Sequence, residues 1–278
     1  MTFLSLISRP QTPGVETMGL KVRLIVVAGL TLAMAACGSS GGSGGAKSEP
    51  AAKPLAGSDW VLTGMTPAVR ALAGVSVSAR FADGAISGHS GCNTYHGSYT
   101  QRGDRLTIGT VAGTRMACPP APTAVERGYL ERLAKVKSFT RTATTLVLRD
   151  ASGATLLSYA APSADAINGS WIVTSLYTGD ALVSPTGTLT AKFANSSVSG
   201  DAGCNTFSGG VQVDGSNITI GPLASTQRAC LEADKTKQES QYLQALGLAK
   251  RFEVLGDRLS LFRADGGYAV VFTRAGAA

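Results

Sequence analysis

The sequence predicts a mainly β protein: two tandem, small, antiparallel β-barrel-like domains, each with one α-helix. Three observations carry this. The chain aligns with itself, since Gly88, Phe81, Cys92, Ile108, Thr114 and Cys118 each recur 112 residues later. Within each copy the apolar residues alternate at period two, the strand signature. Each copy is interrupted by one helical stretch with apolar residues on one face. A period of 112 residues is domain-sized and exceeds the 20–50 residues of solenoid repeats.

The first element is a leader. Lys21 and Arg23 precede the uncharged run Leu24–Ala36, which ends in small residues before Cys37. These thirteen residues are too few to span a bilayer, which takes roughly 20. They match the apolar region of a signal peptide. The segment Met34–Cys37, "MAAC", resembles a bacterial lipobox, with Met34 in the place usually held by Leu. Cys37 is therefore the expected lipidation site and mature N-terminus. An ordinary secretory signal with a chance cysteine is the alternative. Met18 opens a complete signal of its own ("MGLKVRLIVV") and is a candidate start. The division expected is a leader over 1–36, a Gly/Ser/Ala-rich tether over 37–57, and domains over 58–161 and 167–278. A tether of about 20 Gly-rich residues reaches about 25 Å. No later run of 18 apolar residues exists to form a second span.

In the first copy Val75, Val77, Ala79 and Phe81 share one strand face; Leu189, Ala191 and Phe193 do so in the second. Short alternating strands follow at 104–109 and 216–221, and again at 144–150 and 257–263. The helix of the first copy is placed over 123–136, opened by Thr123 and Glu126 at capping-box spacing. Tyr129, Leu130, Leu133 and Val136 lie on one face of it. Thr236, Glu239, Tyr242, Leu243 and Leu246 repeat the device. Trp60 and Trp171 begin the two copies in equivalent places. Many short strands with one helix argue a rolled-up sheet that hides its edges, with the helix over one opening.

This arrangement resembles the META domain family, the HslJ-like domain. The features are the early Trp, the Gly-Cys-Asn-Thr cassette, the Thr-x-x-x-Cys before the helix and the Leu-x-Leu near the end, present in both copies. The resemblance implies a small β-barrel-like fold with a helix, usual in envelope proteins. It also implies an association with heat response and antibiotic tolerance, which names a phenotype and no reaction.

The cassette recurs as "GHSGCNTYHG" and "GDAGCNTFSG". In each copy 26 residues separate two cysteines, Cys92 from Cys118 and Cys204 from Cys230. An exported chain meets an oxidising compartment, so one disulfide per domain is expected; redox-active thiols are the rival. The glycines and Asn93 or Asn205 suit a tight corner. His89, Cys92 and His96 offer a metal-like spacing, but Asp201 and Ser208 replace the histidines in the second copy. No metal and no other cofactor are expected. Without a shared base, a catalytic nucleophile is not expected either. Arg115 and Arg228 flank the second cysteines one place out of register.

Charge is uneven. From Cys37 to Pro162 the net is +6, and from Ser163 onward it is −1. The basic residues in and after the first helix could face anionic headgroups or simply water. Nucleic acid is not an expected partner. The expectation is an exported protein on the outer face of the cell membrane, held through its lipid anchor. It would be a non-catalytic binding or adaptor module for an envelope protein, with a link to envelope stress. The alternative is a carrier of a small apolar ligand in the barrel interior.

Overall fold

The computed structural model describes residues 53–68, 74–230 and 232–277. The expected leader, the expected lipidation site Cys37 and the expected tether up to residue 52 lie outside the described residues.

The first copy is a closed barrel of eight consecutive antiparallel strands. They are β1 (Ser58–Met65), β2 (Ser78–Ala82), β3 (Ala85–His89), β4 (Thr94–Arg102), β5 (Arg105–Gly113), β6 (Ser138–Arg141), β7 (Thr145–Arg149) and β8 (Thr155–Ala160). Helix α1 (Pro120–Leu133) stands between β5 and β6. The ring closes where β1 pairs with β8, Leu62 opposite Tyr159. Closure removes the free edges that an open sheet would present.

The second copy repeats this plan. Its strands are β9 (Gly169–Tyr177), β10 (Leu182–Val183), β11 (Thr190–Ala194), β12 (Ser197–Asp201), β13 (Thr206–Asp214), β14 (Asn217–Ile220), β15 (Ala224–Ser225), β16 (Arg251–Leu255), β17 (Arg258–Phe262) and β18 (Tyr268–Arg274), with α2 (Ala233–Gly247) before β16. The pairing of β9 with β18 closes it. The short β10 and β15 sit on β9 and β13 as additions. Among the described residues no helix is long and apolar enough to cross a membrane.

The period-two pattern lands where expected. Val77, Ala79 and Phe81 are buried, as are Leu189, Ala191 and Phe193, while Val75 lies ahead of β2 and is half-buried. Trp60 faces Ala79 across the β1–β2 pair, and Trp171 faces Ala191 across β9–β11. Both indoles are buried. Their N–H groups donate to Ser58 Oγ and to the Ile167 carbonyl. Removing either side chain would cost about 3–5 kcal/mol.

Each helix closes its barrel with a tyrosine. Tyr129 of α1 reaches the Tyr95 hydroxyl at 2.6 Å and the Tyr159 hydroxyl at 3.1 Å. Burial pushes the Tyr129 phenol up to about 12, so it stays protonated as a structural bridge. In the second copy Tyr242 donates to the Thr190 carbonyl at 3.0 Å, and Phe207 packs edge-on against its ring.

The helix start differs from the sequence expectation. Helix α1 begins at Pro120, with prolines in its first turn and Pro119 at the N-cap, which makes no side-chain cap bond. Proline is pre-organised for that turn and lacks an N–H that would go unpaired. Thr123 lies inside the helix and donates back to the Pro119 carbonyl. Thr236 likewise lies inside α2, which starts at Ala233. The capping box is absent from both copies, and the glutamates are used elsewhere.

Two separate apolar cores result, one spanning Leu55 to Tyr159 and the other Ile167 to Phe272. What joins the copies is polar. Asp59 accepts from Ser216 Oγ at 2.6 Å, Ser78 Oγ donates to Glu253 at 2.7 Å, and the Gly256 N–H donates to Ser76 Oγ at 2.8 Å. A fragment beginning at Ser163 should therefore unfold cooperatively on its own. Far- and near-ultraviolet circular dichroism during urea titration checks this, and a non-cooperative transition would mean a shared core.

Candidate functional site

The cassette is built from its backbone outward. At Gly88 the strand runs so close to β2 that a Cβ would overlap the Ser78 carbonyl; Gly200 stands in the same relation to the Thr190 carbonyl. Gly91 and Gly203 take φ of +106° and +98°, values that side chains oppose. The chain can then turn from β3 to β4, and from β12 to β13, within a few residues.

Cys92 is bonded to Cys118 with Cα atoms 6.0 Å apart, and Cys204 to Cys230 at 5.9 Å. Both lie within the ordinary disulfide range. Each bridge fastens the corner to the segment that leads into the helix.

The helix glutamate completes the arrangement. Glu126 accepts from the Asn93 N–H at 2.8 Å, from Asn93 Nδ2 at 3.1 Å and from Ser90 Oγ at 2.5 Å. Asn93 Oδ1 in turn accepts from Thr114 Oγ1 and the Met116 N–H, each at 2.8 Å. The second copy reproduces the set apart from the serine, whose place Ala202 takes. Glu239 takes the Asn205 N–H at 3.0 Å and Nδ2 at 3.1 Å, while Asn205 Oδ1 takes Thr226 Oγ1 at 2.7 Å and the Arg228 N–H at 2.8 Å. Asn93 and Asn205 are buried, and these contacts use their amides in both directions.

Local spacing suits the asparagines to a turn and the glutamates to a helix cap. They are instead partners of each other across more than 30 residues of chain. One signal could have revealed this: Glu126 and Glu239 are the sole acidic residues at matching positions in the two copies.

Burial raises the affinity of Glu126 for a proton. The hydrogen bonds from Ser90 and Asn93, with His89 nearby, outweigh it and hold the carboxyl below its ordinary value. The group is thus an anion committed to neutral donors and poorly placed to accept a substrate proton.

The metal-like trio does not converge as a free ligand set. Cys92 is in its disulfide, His89 Nδ1 accepts the Gly91 N–H at 3.1 Å, and His96 is exposed on β4. Cys204, Cys230 and Glu239 do bring ligand atoms within 4.8 Å of one another. There the two sulfurs are bonded to each other and the carboxylate holds Asn205, so this trio is the clamp itself. Arg228 donates to the Cys204 carbonyl at 3.0 Å and belongs to the same corner, whereas Arg115 is exposed.

Two outcomes are expected. Glu239→Ala strands the Asn205 donors and should destabilise the second domain by about 1–3 kcal/mol, leaving the first transition in place. The depressed carboxyl of Glu126 stabilises fully above the unperturbed glutamate value of about 4.3. That contribution fades as pH falls through its lower folded value, and Glu126→Gln should flatten this acid limb. Urea unfolding as a function of pH reads both. Separately, Cys204→Ser with Cys230→Ser should cost the second domain about 2–5 kcal/mol, visible as a lowered second calorimetric transition.

Comparison with known proteins adds the following. No curated protein sequence matches the chain. A protein from Burkholderia xenovorans, solved by NMR, is 28% identical over 39% of this chain and 85% of its own, with a TM-score of 0.33. A DUF4847 family protein from Bacteroides vulgatus, solved by crystallography, is 15% identical over 38% of this chain and 93% of its own, with a TM-score of 0.29. The META domain model matches residues 53–163 and again 164–276. With nearly all the described residues inside those two matches, and the Trp, cassette, clamp and helix in the same order in each, the chain belongs to the META domain family and carries two tandem copies of the domain.

Proposed function

We propose that the chain is a membrane-tethered, non-catalytic binding module. It would be exported, held by lipid on Cys37 at the outer face of the cell membrane, and used in recognition at the envelope. The observation that carries this reading is that both barrels are filled by their own side chains. Trp60, Phe81, Tyr129, Phe139 and Tyr159 occupy the first, and Trp171, Phe193, Tyr242, Phe252 and Phe272 the second, all buried. Interiors this full resemble the packed cores of small barrels and leave the outer surface for recognition.

The cassette supports the same reading from the chemical side. Its cysteines are paired, its carboxylate is committed to an asparagine, and its buried tyrosines are pushed toward higher pKa by desolvation. A reacting group needs a free nucleophile or a base within reach of substrate, and the cassette offers neither. The carrier alternative needs interior room, which the aromatic side chains occupy. Envelope proteins are the partners this reading favours, and a role in envelope stress follows from the family resemblance.

Cys37→Ala should abolish acylation and move the chain from the membrane to the soluble fraction. Intact mass measurement and fractionation check this; an unacylated wild-type chain that stays with the membrane would overturn the anchor. Extraction of bound lipid from the purified wild-type barrels, found by mass spectrometry, would favour the carrier instead.

A further inference from the structure

Between the two barrels lies a cleft of about 860 Å³. One wall comes from β1, β2, the segment before β2 and the cassette between β3 and β4, the other from β16, β17 and both ends of β18, with Asp165 and Ala166 of the link also lining it. Its volume falls in the range of small-molecule sites, about 300–1,000 Å³, and domain junctions are a common place for them.

The charges in the cleft are unequally matched. Asp59 is taken by Arg80 at 2.9 Å and by Ser216 Oγ at 2.6 Å. Arg251, whose side chain is 19% exposed, reaches that same carboxylate only at 3.6 Å. Glu253 holds Ser78. Among the described residues Arg258 has no carboxylate within ion-pair distance. The lining as a whole carries four guanidiniums, Arg80, Arg251, Arg258 and Arg274, against three carboxylates, Asp59, Asp165 and Glu253, each already engaged by a hydrogen bond.

Arg274 lies 4.2 Å from the Trp171 ring and 3.6 Å from Asp257, while Arg251 and Arg258 are mounted on one stacked pair of rings. Arg251 lies 3.9 Å from the centre of the Phe262 ring, Phe262 stacks on Tyr268 at 4.9 Å, and Arg258 lies 5.6 Å from the Tyr268 ring. The result is a column of cation, ring, ring and cation. A guanidinium held by its face keeps its N–H edge for an acceptor, and that edge matches a carboxylate. Tyr268 is 39% exposed, which leaves aromatic surface for a flat partner. Burial lowers the pKa of Arg251, and an anion set beside it would offset that cost.

The column belongs to one copy alone. The β6–β7 pair of the first barrel sets Ser138 against Arg149 where the β16–β17 pair of the second sets Arg251 against Phe262. Thr145 and Thr155 stand in the places of Arg258 and Tyr268. The shared scaffold does not need the column, since the first barrel closes without it.

We propose that the cleft binds a small organic anion, a carboxylate on a flat apolar body, with Arg251 and Arg258 holding the anionic group and Tyr268 receiving the body. This rests on the reading of the chain as a binding module and names what its cleft takes.

The test uses the full-length chain in non-ionic detergent, with empty micelles as the blank. The probes are 2-naphthoate and its neutral analogue 2-naphthylmethanol, followed by isothermal titration calorimetry. Naphthoate should saturate one site per chain, at least tenfold more tightly than the alcohol. Arg258→Gln and Tyr268→Ala should each weaken naphthoate tenfold or more, and Arg258→Gln should leave the melting temperature unchanged because the side chain is exposed. Arg251→Gln should act in the same direction, with loosening of the Asp59 junction as a separate effect. Equal binding of the two probes, indifference of naphthoate to Arg258→Gln, or no saturable binding at millimolar probe would each overturn the proposal. None of these results touches the membrane fractionation of Cys37→Ala, so the cleft can fail while the tethered module stands.

Discussion

The bond between one asparagine and one glutamate organises each barrel. Asn93 sits at the corner between β3 and β4, and Glu126 projects from the helix that follows β5. A helix inserted in a barrel must be told where to sit, and apolar contact alone is non-directional. The Glu126 carboxylate supplies direction through donors from the Asn93 backbone and amide. The disulfide from Cys92 to Cys118 ties the same corner to the chain entering the helix. Placing a half-buried carboxylate there is acceptable because its oxygens are satisfied.

The duplication separates what this constraint requires from what it does not. The Asn, Glu, Thr and two Cys recur with hydrogen bonds that agree within a few tenths of an ångström between copies. Other buried positions drifted. The hydroxyl bridge of Tyr95, Tyr129 and Tyr159 in the first barrel becomes an edge-on Phe207–Tyr242 pair in the second. Both solutions fill the space, and packing accepts either so long as volume is kept. The Asn–Glu–Thr set is kept in both copies, and only its outlying member differs: the Ser90 hydroxyl that Glu126 also accepts has Ala202 in its place in the second copy.

Much of the fold was legible because strand alternation and domain repetition are local or translational patterns. Val77, Ala79 and Phe81 read as a strand face from spacing alone, and their burial follows. Helix α1 was legible in its apolar face, yet its start was misread. A Glu three residues after a Thr has the spacing of a capping box, and nothing local says that a corner residue 33 positions earlier claims the carboxylate. The cassette was legible as a pinned corner, but the reach of Asn93 to Thr114 and Met116 was not, since those partners meet only once β4 and β5 pair. The cleft was invisible for the same reason. Arg251, Phe262 and Tyr268 are brought together by the registers of β16, β17 and β18.

A closed barrel of eight strands filled by its own side chains offers little concavity of its own. A second copy changes the geometry, because two convex bodies set side by side enclose a groove that neither has alone. The junction here is made by single hydrogen bonds and one shared carboxylate, with the apolar cores kept apart. That leaves room beside the contacts, and the room is lined by residues the second barrel does not need for closure. The clamp keeps each barrel rigid, and a rigid pair of walls lowers the ordering cost of whatever binds between them. Stability is thus concentrated in the elements the copies share, and variation in the strands β16 to β18 that face the partner barrel.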